Sequence, residues 1–195
     1  MVKKKSKGSA KNIIAVLLLA AVIVSSFAML ANRNKKVDVT PEKLTAVQEV
    51  LARNLDTNYP ATPKEVLKFY SEVTRCFYSE EYSEEELGRM AKLSRTMLDS
   101  ELYAQQTEED YLNDLKIDID LFHSKNMTIS SYSVSSAADV DYYQYENADW
   151  AKLNCIFSIR IGTRIESTNE EFLLRKSEDG HWKIFGWRVA QEEET

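Results

Sequence analysis

The sequence predicts an α+β domain, with helices packed on one face of a curved antiparallel sheet, behind an N-terminal transmembrane helix. Residues 13–31, IIAVLLLAAVIVSSFAMLA, form nineteen consecutive uncharged residues. Between 62 and 124, apolar residues recur at helical spacing, whereas from Met127 onwards the spacing changes to two, which is typical of strands. Helices that precede strands, rather than alternating with them, are typical of α+β folds.

The apolar run has the length and flanks of a membrane span. At a rise of 1.5 Å per residue its helix is about 28 Å long, close to the roughly 30 Å hydrocarbon core of a bilayer. Five lysines precede it and three basic residues follow it. This bias favours a single-pass protein of the cell membrane with its N-terminus in the cytoplasm and its C-terminal domain outside.

The span divides the chain into four segments. We expect a basic cytoplasmic tail (1–12), the transmembrane helix (13–31), a tether with a membrane-proximal helix (32–59) and an exported α+β domain (60–195). A cleaved signal peptide, with Ser26-Phe27-Ala28 as the cleavage site, is the alternative. The remainder is exported in either case.

The charges of the chain are divided unevenly. Residues 1–36 hold eight of the 25 Lys and Arg and none of the 31 Asp and Glu, so the remainder carries 17 basic and 31 acidic residues. Its net charge of −14 repels phosphate backbones, and we therefore exclude nucleic acid as a partner.

Helix-capping signals predict four helices after the span. They begin at Thr40-Pro41, at Thr62-Pro63, at Ser83 with Glu86 three residues later, and at Thr107 with Asp110 three residues later. We expect them to end near Leu55, residue 79, Ala104 and Phe122.

Alternation of apolar and polar residues predicts the strands. They are Met127 to Val134, the long apolar strand 151–161, a strand around Phe172 and Leu174, and the last strand from Trp182. Residues 137–147 are either a strand or a long connection. We expect Gly162 to Asn169 to turn the chain, Asp179-Gly180 to form a hairpin turn, and Gly186 to mark a bulge.

The C-terminal sequence "EEFLLRKSEDGHWKIFGWRVA" resembles the final hairpin of the nuclear transport factor 2-like superfamily, also described as ketosteroid-isomerase-like or cystatin-like α+β. The resemblance covers residues 60–191 and implies helices on a strongly curved sheet that form a cone with a pocket. Between Tyr103 and Glu109 the chain is too short for the small hairpin that many members have. The whole chain is also similar to a group of uncharacterised bacterial single-pass membrane proteins.

The candidate binding residues are aromatic. Trp182 and Trp187 either fill the core or line a pocket, and a bulge at Gly186 would bring both to one face of the sheet. Tyr70 and Phe157, on the apolar faces of a helix and of the long strand, complete the candidate set. A separate group, Tyr142, Tyr143 and Tyr145, would be exposed on a loop or edge strand, where aromatic side chains can bind a partner chain or a glycan.

No catalytic or metal-binding set is evident in the sequence, and no cofactor is expected. His123 lies at a predicted helix end and His181 beside a turn, without paired ligands at metal-binding spacing. Asp114, Asp118 and Asp120 are interpreted as a solvated helix face rather than a cation site.

The two cysteines, Cys76 and Cys155, are either buried free thiols or one disulfide between helix and sheet.

These observations favour a non-catalytic binding role outside the cytoplasm, with a protein partner, a homodimer or a small apolar ligand. One alternative is an enzyme that uses an acid or base in the pocket. Another is a structural subunit of an envelope or membrane assembly that dimerises through the outer sheet face, where Trp150 and Ile156 are expected.

Overall fold

Five α-helices precede five antiparallel strands in the part of the chain that the computed structural model describes, residues 43–190. The helices are α1 (Ala46–Leu51), α2 (Pro63–Ser79), α3 (Glu84–Thr96), α4 (Ser100–Tyr103) and α5 (Glu108–Ser124). The strands are β1 (Met127–Val134), β2 (Asp141–Tyr145), β3 (Ala148–Ile161), β4 (Arg164–Lys176) and β5 (Trp182–Val189), with a 3₁₀ turn at Ala137–Asp139. The predicted α+β class is confirmed.

The predicted transmembrane helix at 13–31 lies outside the described residues. Over residues 43–190, every helix is too short or too polar to cross a membrane.

Side chains cap the N-termini of the helices. Reciprocal capping boxes join Thr45 with Gln48, Thr62 with Glu65, and Ser83 with Glu86, while Thr107 accepts a hydrogen bond from the Asp110 amide. The predicted starts of α2, α3 and α5 are confirmed. The predicted helix start at Thr40-Pro41 lies outside the described residues. Residues 43–45 are not helical, and α1 begins at Ala46, where Thr45 and Gln48 supply its cap.

The prediction that the third helix continues to Ala104 is wrong. Helix α3 ends at Thr96, and the next three residues run beside β5 instead. The Ile184 amide donates to the Met97 carbonyl at 2.8 Å, and the Asp99 amide donates to the Ile184 carbonyl at 2.8 Å. Asp99 then caps the short helix α4. Pairing with the edge strand therefore competes with helical hydrogen bonding at this point.

The sheet has the order β1-β3-β4-β5, and β2 pairs with the other end of β3. Strands β3 and β4 form a hairpin in which Ile161 pairs with Arg164, so the predicted turn as far as Asn169 is wrong. Apart from Ile165, residues 164–169 are polar, and this part of the hairpin extends beyond most of the core. The sheet is open and not strongly curled, which corrects the expectation of a strongly curved cone.

Helix α2 is the central element, with nine of its seventeen residues buried. Its apolar residues join those of β3, β4 and β5 in one core. At its C-terminal end, Ser79 Oγ donates to the Ile129 carbonyl of β1 at 2.8 Å and accepts from the Ile129 amide at 2.7 Å. Cys76 and Cys155 are buried free thiols in this core, and burial raises the pKa of Cys76 to about 11.

The predicted bulge lies in β5. Leu173 of β4 pairs with Gly186, and Leu174 pairs with Ile184, so Phe185 is the extra residue. Because the bulge shifts the alternation, Ile184 and Trp187 both face the helices. The helix-facing side of β5 therefore carries Trp187, which regular alternation would place on the opposite face of the sheet.

The opposite face of the sheet carries a buried ion pair. Arg175 donates to Asp99 from Nε at 3.0 Å and from Nη2 at 2.5 Å, and the Asp99 side chain is only 3% exposed. The guanidinium lies 5.4 Å from the Trp150 ring and 5.1 Å from the Phe185 ring. Tyr143 stacks on Trp150, which is 7% exposed. The expectation that Trp150 offers a dimer contact is therefore wrong.

We expect Asp99→Asn to lower the free energy of unfolding by about 2 kcal/mol, because it leaves a partly buried arginine without its main partner. Glu101→Gln removes the exposed partner of the same arginine and should cost less than about 0.5 kcal/mol. Urea unfolding followed by far-UV circular dichroism measures both. Equal losses would contradict the assignment of Asp99 as the main partner.

Candidate functional site

A cleft of about 230 Å³ opens between α2, the end of α5 and the sheet. We call it the aromatic cleft. Its lining consists of Tyr70, Thr74, Tyr78, Phe122, Ile129, Phe157, Ile159, Thr168, Glu170, Phe172 and Trp187. Six of these eleven side chains are aromatic and only one is charged, which is the composition typical of small-molecule sites.

Regular spacing in the sequence places these side chains together. Tyr70, Thr74 and Tyr78 follow one another at intervals of four along α2 and therefore share one helix face. Thr168, Glu170 and Phe172 alternate along β4, and Phe157 and Ile159 alternate along β3, so each group shares one sheet face. The cleft forms where the helix face passes over these two strands.

The rings at the mouth of the cleft are in mutual contact. The centroids of Tyr70 and Trp187 are 6.0 Å apart, and those of Phe172 and Trp187 are 5.9 Å apart with a 21° interplanar angle. On the α5 side, Tyr78 and Phe122 are 4.8 Å apart. These contacts hold the aromatic wall in place without a ligand.

Glu170 is the charged group of the cleft. It lies opposite Cys155 in the β3–β4 register, on the core face of the sheet, and is half-buried. Within residues 43–190 its carboxylate has no hydrogen-bond or ion-pair partner, and burial raises its pKa above the ordinary glutamate value. The next residue, Glu171, faces the other way and accepts from Arg188 at 2.7 Å. Glu170 is thus a carboxylate held partly away from water without compensation.

Two phenols line the cleft with this carboxylate. Burial raises the pKa of Tyr70 well above its ordinary value, and burial together with Asp118 raises that of Tyr78 to about 12. Glu170 adds to both shifts. Neither hydroxyl is hydrogen-bonded to another side chain or to the backbone in the described part of the protein. Both phenols therefore stay protonated at neutral pH and can donate or accept a hydrogen bond.

A second hollow of about 300 Å³ adjoins the aromatic cleft and shares Tyr70, Thr74, Tyr78 and Trp187 with it. Asp114 and Asp118 of α5 line this second hollow, and Asp114 accepts from Gln106 Nε2 at 2.7 Å. No lysine, arginine or histidine of the described chain lines either hollow. The electrostatic character of the whole site is therefore negative.

Three of the four predicted binding residues line this one cleft. Trp187, Tyr70 and Phe157 meet there, whereas Trp182 does not. The Trp182 ring is 8% exposed, lies 5.9 Å from Tyr142 and belongs to the core.

The sequence analysis did not identify Glu170 as a site residue. The signal that could have found it is a charged residue two positions before the buried Phe172, at a place where the strand alternation predicts an apolar side chain.

The two histidines have structural contacts. The Nε2 atom of His123 lies 3.1 Å from the Tyr78 carbonyl oxygen. His181 stacks on Tyr59 at 4.3 Å, and its Nδ1 lies 3.0 Å from Asp179. Across residues 43–190, no three histidine, cysteine or acidic side chains are grouped for a metal ion.

A depression of about 820 Å³ lies beside the β4–β5 turn. Its lining is mainly charged and polar, and it includes the Asp99–Arg175 pair that already serves the fold. The aromatic cleft is the better candidate site, because its polar groups are few and unpaired.

The chain belongs to the family described as "Domain of unknown function (DUF6715)", whose model matches residues 1–187. No curated protein matches it. Thirteen chains of solved structures match, including CagV from Helicobacter pylori strain 26695, described as a VirB8 homolog of T4SS. CagV is 11% identical, and the match covers 66% of this chain and 98% of CagV with a TM-score of 0.39. A similarity of this size carries no argument about function.

Replacing each tryptophan with alanine should distinguish the core residue, Trp182, from the cleft residue, Trp187. We expect Trp182→Ala to cost about 3 kcal/mol of unfolding free energy, because its ring is buried. Trp187 is 47% exposed, so Trp187→Ala should cost only about 1 kcal/mol, mainly from its contacts with Tyr70 and Phe172. Chemical unfolding followed by far-UV circular dichroism measures both, and the reverse order would place Trp187 in the core.

Removing the charge of Glu170 should stabilise the domain at neutral pH. Because burial raises this pKa in the folded state, the folded domain binds the proton more tightly than the unfolded chain does. The contribution of Glu170 to stability is thus complete below the ordinary glutamate pKa and is lost as the pH rises through the raised value. Glu170→Gln should therefore have a higher melting temperature than the parent at neutral pH, with the difference vanishing near about pH 4.

Glu178→Gln, an exposed position in the β4–β5 turn, removes the same charge and serves as the control. It should leave the melting temperature unchanged across this pH range. A Glu170→Gln variant less stable than the parent at neutral pH would show that the carboxylate has a favourable partner.

Proposed function

We propose that this protein is a single-pass membrane protein whose C-terminal domain lies outside the cytoplasm and binds a small ligand in the aromatic cleft, without catalysis. The observation that carries the proposal is the cleft itself: a concave, largely aromatic surface of about 230 Å³ with a few convergent polar groups.

The membrane part of the proposal rests on the sequence. Residues 13–31 are long and apolar enough to cross a bilayer, and the five lysines before them favour a cytoplasmic N-terminus. The acidic remainder would then stand outside, joined to the span through the residues that precede α1.

We further propose that the domain is a nuclear transport factor 2-like fold with a less curved sheet. Support comes from helices that precede an antiparallel sheet, from a final hairpin that carries Trp182 and Trp187, and from a cleft between helices and sheet. Folds of this kind do not determine an activity, so the function is argued from the cleft.

Binding is favoured over catalysis by the composition of the cleft. Among the described residues its lining holds one ionisable acid and two phenols, and no histidine, cysteine or serine. The observation that favours an enzyme instead is the raised pKa of Glu170, since acid and base catalysts often have perturbed pKa values. A raised pKa also accompanies any carboxylate that is buried without a partner, so it does not require catalysis.

A role as a structural subunit of a membrane assembly is the second candidate. The observation that favours it is edge strand β2, where Tyr142, Tyr143 and Tyr145 are 40–58% exposed. Exposed aromatic side chains on an open strand edge suit contact with another chain.

Native mass spectrometry of the full chain, released from non-ionic detergent, tests both candidates. We expect extra mass retained on the wild-type protein and lost from Thr168→Phe, in which the larger side chain fills the cleft. Thr57→Phe, at an exposed turn, adds the same bulk elsewhere and should retain the mass.

Far-UV circular dichroism of both variants verifies that they fold. A ligand-free dimer that Tyr143→Glu dissociates would favour the assembly role. A ligand-free monomer would contradict both candidates.

A further inference from the structure

Building on the proposed binding function, we infer that the aromatic cleft takes a small organic cation, an alkylammonium or quaternary ammonium group, with Glu170 as its counter-charge.

The charge of the cleft disfavours a neutral or anionic occupant. Glu170 is the only charged side chain in the lining and lacks a partner within residues 43–190. A neutral apolar ligand would displace water from this carboxylate without replacing the lost hydrogen bonds. The adjoining hollow adds Asp114 and Asp118, while no cationic side chain of the described chain lines either space. A cation is the occupant that compensates this charge.

The aromatic rings of the cleft would also attract a cation, in addition to the charge of Glu170. Aromatic faces carry partial negative charge and attract cations, most strongly for tryptophan and tyrosine. Tyr70, Phe172 and Trp187 lie within 5.9 to 6.1 Å of one another, and Trp187 keeps 47% of its surface exposed at the mouth. Phe172 is only 1% exposed and supports the other two rings, so the Tyr70 and Trp187 rings are the aromatic surfaces that can contact an ammonium group beside the carboxylate.

A tyrosine hydroxyl in the same lining suits the same class of ligand. Tyr70 is 9% exposed, and its hydroxyl has no partner among the described residues. Burial keeps this phenol protonated, so its oxygen can accept a hydrogen bond from an ammonium N–H or receive an N-methyl contact.

The size and ligand chemistry of the site exclude other cations. At about 230 Å³ the cleft is smaller than pockets for drug-sized molecules, which measure roughly 300–1,000 Å³. Calcium and magnesium prefer a shell of six or more oxygen ligands, whereas the cleft offers one carboxylate and a few hydroxyls. A cation of a few heavy atoms with an apolar surface fits both limits.

The test is isothermal titration calorimetry of the full chain in non-ionic detergent. The probes are choline and its neutral analogue, in which carbon replaces the ammonium nitrogen. Since the two have nearly the same shape, their difference isolates the charge. We expect choline to bind at least about tenfold more tightly than the analogue, and Trp187→Ala to weaken choline binding.

Glu170→Gln should weaken choline binding by about tenfold without weakening binding of the neutral analogue, whereas Glu178→Gln should change neither. Circular dichroism verifies that each variant is folded. Equal affinities for choline and the analogue would overturn the cation inference and leave the proposed binding function standing. The same holds if choline fails to bind while mass retained by the wild-type protein is lost from Thr168→Phe. Failure of both probes and of mass retention would overturn both.

Discussion

The position of α2 between the sheet and the other helices is the constraint on which the rest of the domain depends. A helix buried on most of its surface must satisfy the packing of two layers at once. The two Ser79 hydrogen bonds to Ile129 fix its C-terminal end against β1 and leave no freedom to slide along the strands. The face with Tyr70, Thr74 and Tyr78 is thus held above β3 and β4 at a fixed height. The aromatic cleft is the space that this arrangement leaves unfilled.

The bulge in β5 completes the cleft and joins it to the opposite side of the sheet. The extra residue, Phe185, turns outward and packs near Arg175 and Trp150, while Trp187 turns inward onto Phe172. Residues 97–99 pair with β5 just before the bulge and bring Asp99 to Arg175. The bulge therefore contributes to both faces of the sheet. On the face away from the helices, Phe185 packs near the Asp99–Arg175 ion pair, and on the helix-facing side Trp187 joins the aromatic wall of the cleft. Strand β5 is thus paired on both edges before the bulge, with β4 and with residues 97–99, and with β4 alone after it.

Local signals made much of the fold predictable, and non-local competition explains the errors. Capping boxes such as Ser83 with Glu86 specify helix starts within four residues, and the alternation along β3 specifies a buried face. The end of α3 was not predictable, because it depends on pairing with Ile184, almost ninety residues later. The cleft was predictable only in part: aromatic residues at core spacing were evident, but Trp182 and Trp187 differ through tertiary packing. In the sequence, Glu170 appears only as a break in an apolar pattern. Its lack of a partner among the described residues depends on the folded chain and could not be predicted.

Glu170 also indicates which feature of the domain is not explained by stability alone. A half-buried carboxylate without a partner makes the folded state less stable at neutral pH than an uncharged side chain of the same shape would. By contrast, Asp99 is buried more deeply yet receives two hydrogen bonds from Arg175, so its burial is compensated within the domain. Within the described residues, no cationic side chain compensates the charge of Glu170 in this way. Under the proposal above, a bound group that brings positive charge into the aromatic cleft would supply that compensation, and the same contact would hold the group in place.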